Sequence, residues 1–105
     1  MSKHDQERLR LDKERVVERI QTGVRMEKRM VKVLKALAEY LDISLGDLLE
    51  GVVLHAFAGQ APFSAQTLQH ITRLKEVYGM DYGVEASHHL KEIPSQQKEQ
   101  ESDTI

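Results

Sequence analysis

This sequence predicts a mainly α domain of one strand and two helices that is completed by a second copy of itself. Three observations lead there. The run Arg19-Ile20-Gln21-Thr22-Gly23-Val24-Arg25-Met26 alternates polar and apolar residues. Residues 27–41 and 45–58 then repeat apolar positions at helical spacing, with the tight turn Asp42-Ile43-Ser44 between them. A lone strand has no pairing partner, and roughly forty residues bury too little surface to fold alone. A second copy answers both problems: two strands pair antiparallel, and four helices close a core beneath them.

Residues 1–18 come first, rich in both charges, with Leu9, Leu11, Val16 and Val17 scattered among them. Their apolar spacing is too sparse to hold an isolated helix. They read as a mobile or partly helical arm. Arg8, Arg10, Lys13 and Arg15 have the reach to touch phosphates, but Asp5, Glu7, Asp12 and Glu14 alternate with them, which favours a solubilising tail. In the strand, period-two geometry puts Ile20, Thr22, Val24 and Met26 on the inner face and Arg19, Gln21, Gly23 and Arg25 on the outer one.

The first helix buries a stripe of Met30, Leu34, Leu37 and Leu41, with Val31 and Ala38 beside it. Lys28, Lys32, Lys35 and Glu39 lie on another side. Lys28 and Arg29 sit at the helix start, where positive charge opposes the dipole. Either a polyanion lies nearby or Glu27 compensates. In the turn, Asp42 tolerates a left-handed conformation. Ser44 caps the second helix, with Asp47 three residues on. Leu45, Leu48, Leu49, Val52, Val53, Ala56 and Phe57 cover much of that helix's circumference, which calls for more than one neighbour. Gly51 is unfavourable mid-helix, and Gly59 closes the end.

Residues 60–93 form a helical extension. Gln60-Ala61-Pro62 is a loop, Ser64 a cap with Phe63 and Leu68 at staple spacing, and Leu68, Ile71, Leu74 and Tyr78 a stripe that Gly79 terminates. Residues 94–105 have no apolar period and read as a disordered tail.

The alternation Thr22, Val24, Met26, the stripe Met30, Leu34, Leu37, Ala38, Leu41 and the turn Ile43-Ser44 resemble the ribbon-helix-helix family of DNA-binding proteins, the MetJ/Arc/CopG type. The likeness covers residues 19–59. It implies a homodimeric, sequence-specific transcriptional regulator with a β-ribbon in the major groove. The positions that read bases in the family fall on Gln21, Gly23 and Arg25. Arg pairs with guanine and Gln with adenine, whereas Gly23, a departure from the pattern, has no side chain to read with. Backbone contacts are expected from Arg19, Lys28 and Arg29, and from the helix start at Ser44, Leu45 and Gly46. The dimer core is expected to hold Val24, Met26, Leu34, Leu37, Leu41, Leu48, Leu49, Val52 and Val53.

Charge is consistent with this. Residues 1–35 hold eleven Lys and Arg against six Asp and Glu, a balance of +5; residues 36–105 carry −7. Such segregation suits a protein that offers one end to a polyanion, and equally an ordinary solvated surface. The chain has no cysteine, which excludes disulfides, thiolate metal sites and a cysteine nucleophile, and fits a cytoplasmic protein that is nucleoid-associated when bound to DNA. Residues 1–10 lack the apolar segment of a signal peptide, and Val52-Val53-Leu54 is too short to span a membrane. His4, His55, His70, His88 and His89 show no metal-ligand spacing. No catalytic set stands out, so neither an enzyme nor a cofactor is expected. Two other functions fit the same features: an antitoxin whose residues 60–93 wrap a protein partner, and a helical dimerisation or adaptor module that never touches DNA.

Overall fold

Each helix begins where a side chain can take over a free amide. The computed structural model describes residues 14–94. Glu27 accepts from the Arg29 amide at 2.7 Å and starts α1, Lys28–Leu41. Ser44 accepts from Asp47 N at 3.0 Å and starts α2, Leu45–Phe57. Ser64 accepts from Thr67 N at 3.2 Å and starts α3, Ala65–Tyr78. The stops are equally local. Asp42 takes the left-handed conformation at φ 57°, and Gly59 and Gly79 both take φ 67°, where a side chain is strained. A single 3-10 turn, Val84–Ala86, follows.

α1 is the hub. It packs along α3 and, over a shorter stretch, against α2, while α2 and α3 do not run side by side. Leu37, Ala38 and Leu48 form the buried cluster, and Leu34, Leu41, Val52, Phe63, Ile71 and Leu74 pack against it. Tyr40 of α1 stacks on His70 of α3 with ring centroids 3.6 Å apart, a second clamp on the same helix pair. Leu37 is the most enclosed side chain, 1% exposed. Leu37→Ala is expected to cost about 2–5 kcal/mol, measured by denaturant unfolding at fixed protein concentration.

The strand expected over residues 19–26 is absent. Among the described residues there is no strand; residues 14–27 precede α1 without regular structure, and 14–26 are exposed throughout. Alternation makes a strand only where a neighbour completes the hydrogen-bond ladder, and among the described residues no backbone hydrogen bond joins 14–26 to another segment. Gly23 adds backbone freedom in the middle of the run. Ile20, Thr22, Val24 and Met26, expected to face inward, lie in solvent instead, Val24 at 73% exposure. The fold class, its pairing of one strand per chain across a dimer and the ribbon-helix-helix resemblance are therefore corrected. The described residues form three helices preceded by an irregular segment of balanced charge.

The expected core divides accordingly. Leu37 and Leu48 are buried, and Leu34, Leu41, Leu49 and Val52 are partly covered. Val24, Met26 and Val53 are exposed. Val33, absent from the expected stripe, is buried because α3 widens the face that α1 must cover.

Candidate functional site

Helical geometry sorts the charges of α1. At about 100° per residue, Lys28, Lys32 and Lys35 fall on one line, opposite Leu37. All three are exposed. None has an ion pair among the described residues. The stripe spans two turns and is sharpened by the core itself: burying Leu37 forces the lysines outward. Glu39 is on the same line at its far end. Only Lys28 of the three was expected to contact a phosphate; the i, i+4, i+7 spacing that groups it with Lys32 and Lys35 is visible in the sequence.

The arginines are arranged differently. Arg19 makes a two-pronged pair with Glu50 of α2, at 3.1 and 2.9 Å. The hydrogen bond and charge of Glu50 raise the guanidinium further above its ordinary range and hold the carboxyl below its own. Arg25 pairs with Glu92. Arg29 donates to the Gly79 carbonyl at 2.9 Å and to Asp81 at 3.2 Å. The three arginines expected to face DNA are thus bound within the chain, two of them by residues 79–92. Gln21 and Gly23 are exposed in the irregular segment, so the positions expected to read bases are not aligned on a ribbon.

Tyr82 completes this contact between the two ends. Its hydroxyl donates to Glu27 Oε1 at 2.7 Å, and Arg29 lies 5.5 Å from the ring centroid. Arg29 Nε also donates to Glu27 Oε1, at 3.1 Å. Burial acts to raise the Glu27 carboxyl, but hydrogen bonds from Tyr82 and the Arg29 amide, with the Arg29 charge, outweigh it and hold the carboxyl low. Burial, then the hydrogen bond and charge of Glu27, push the Tyr82 phenol up to about 12. A depressed carboxylate stabilises above the ordinary glutamate range and loses that contribution as pH falls through its folded value. A raised phenol stabilises fully below 10.0, its ordinary value, and loses the contribution as pH rises through about 12. The phenolate absorbance lost in Tyr82→Phe is expected to centre near pH 12; a centre at the ordinary value contradicts this contact.

At the start of α2, Ser44 engages the Asp47 amide, leaving those of Leu45 and Gly46 as first-turn donors. Among the described residues no group of three His, Asp or Glu side chains is placed to hold a metal ion. His55 Nδ1 lies 2.7 Å from the Gly51 carbonyl, and His70 is engaged with Tyr40.

The remaining surface feature is apolar. Around α2, Leu48 and Val52 face the core, and the opposite side presents Val53, Leu54 and Phe57, at 44%, 66% and 83% exposure, around the Glu50 carboxylate that holds Arg19. Among the described residues no helix is long and apolar enough to cross a membrane. No family model, curated protein or solved structure matches the chain.

Proposed function

We propose that the chain acts as a homodimer that binds double-stranded DNA and serves as a regulator, with Lys28, Lys32 and Lys35 of both copies turned to the duplex. The observation that carries the DNA half is the stripe of Lys28, Lys32 and Lys35. Three cations on one face, over two helical turns and without ion pairs among the described residues, form a point-charge array suited to phosphates. The first-turn amides of Leu45 and Gly46 add a second backbone contact of the same chemistry. Base reading no longer has a ribbon to rest on; phosphate contact is the part that the charge distribution supports.

Dimerisation rests on the core. Only Val33, Leu37, Ala38 and Leu48 are buried among the described residues, too few for an independently stable domain. The outer face of α2 offers Val53, Leu54 and Phe57 around the Glu50–Arg19 pair, an apolar area left to cover. A twofold arrangement needs one self-complementary patch, and a single helix face laid against its own copy provides it.

A second reading is favoured by the arginines: a helical dimerisation or adaptor module whose basic residues are satisfied within the chain. Selection of bound fragments from a pool of genomic duplexes separates the two. Retention of duplex that salt elutes supports the DNA reading, and enrichment of a shared sequence extends it to a sequence-specific regulator. A pool that passes through unretained at low salt leaves the adaptor.

A further inference from the structure

The segment after α3 does more than end the fold: it lies across the start of α1 and occupies cations there. Asp81 and the Gly79 carbonyl hold Arg29, Glu92 holds Arg25, and Tyr82 reaches Glu27 beside them. These partners are 50 to 67 residues apart in sequence, so local chain geometry does not enforce the contacts. Their chemistry is that of the proposed ligand: carboxylates and a carbonyl oxygen on guanidinium groups, as phosphate oxygens sit on arginine. The acidic half of the chain has thus placed part of its charge on the basic half.

We infer that residues 79–92 are an intramolecular competitor for the polyanion, holding Arg25 and Arg29 until DNA displaces them. The inference rests on the DNA reading above and specifies its regulation. In the closed form the chain meets DNA with Lys28, Lys32 and Lys35. In the open form Arg25 joins them, together with the Nη1 edge of Arg29, whose Nε stays on Glu27. The pairs are exposed, and such pairs contribute little each, so the latch is weak enough for a duplex to open. Any partner that draws residues 79–92 away from α1 then strengthens DNA binding, and any that fixes them there weakens it.

The test uses the full chain and a labelled duplex of random sequence. Asp81→Asn/Glu92→Gln removes the two acidic contacts. Glu76→Gln/Glu85→Gln removes the same charge from acids that are not paired with these arginines, and so controls for net charge. Tyr82→Ala loosens the segment with no charge change. The Asp81→Asn/Glu92→Gln chain is expected to bind about three- to tenfold tighter than its charge-matched control, the range for one to two weak pairs released. Tyr82→Ala is expected to bind tighter than wild type. Equal affinity of the two double variants, or no gain from Tyr82→Ala, overturns the competition while leaving DNA binding in place. If no form binds the duplex at low salt, the DNA reading itself fails and the competition with it.

Discussion

Phe57→Glu is expected to split the dimer. The ring is 83% exposed on the single chain, so its replacement removes little from the packing of one copy. In the proposed dimer it lies near the twofold axis with Leu54 and Val53, and a carboxylate there meets its own image in an apolar contact. Burying an unpaired charge costs several kcal/mol, and the change occurs twice per dimer. The dissociation constant is expected to rise at least about a hundredfold, equivalent to roughly 3 kcal/mol. Sedimentation of wild type is expected to give twice the chain mass at micromolar concentration, and the variant one chain mass. Because the separated copy keeps only a small core, its helical signal is also expected to weaken on dilution. A wild-type chain that is folded and monomeric at that concentration contradicts the dimer.

The largest effect on DNA binding is expected from Lys28→Ala/Lys32→Ala/Lys35→Ala. Each lysine that neutralises a phosphate releases counterions, and the logarithm of affinity then changes by about 0.9 per contact with the logarithm of salt. Six lysines across two copies account for a slope of roughly five. Removing them is expected to flatten the salt dependence by that amount and to weaken binding about a thousandfold at low salt. Folding is expected to survive, since the stripe lies opposite Leu37 and touches no part of the core. Arg25→Ala is expected to do far less, because Glu92 already holds that guanidinium. Duplex titrations at several salt concentrations check both. An unchanged slope in the triple variant moves the phosphate contacts elsewhere.

The helices were legible because their determinants are local. Ser44 and Ser64 each cap a helix from within three residues, Asp42 and Gly79 stop one by backbone conformation, and the stripe through Leu34, Leu37 and Leu41 follows from periodicity alone. The strand was not, because it is not a local property. The alternation at residues 19–26 permits a strand, but only a neighbouring backbone makes one, and none pairs with it among the described residues. Burial of Val33 was missed for a related reason. Two stripes, one against α2 and one against α3, overlap on α1, and the sequence does not say that α3 returns to the same helix. The Arg25–Glu92, Arg29–Asp81 and Tyr82–Glu27 contacts were invisible, since exposed charges carry no periodic signal and their partners lie more than fifty residues away. The lysine stripe is readable in full, since the spacing of Lys28, Lys32 and Lys35 alone puts them on one helix face.

The central claim is that paired copies of this chain hold DNA by its phosphates. Titrating a labelled duplex with the full-length chain at about 50 and about 200 mM salt tests it most directly. Tight binding is expected at the lower salt, with a loss of about a thousandfold at the higher one and a bound species of two chains per site. No binding at the lower salt, or an affinity that does not change between the two, would contradict it.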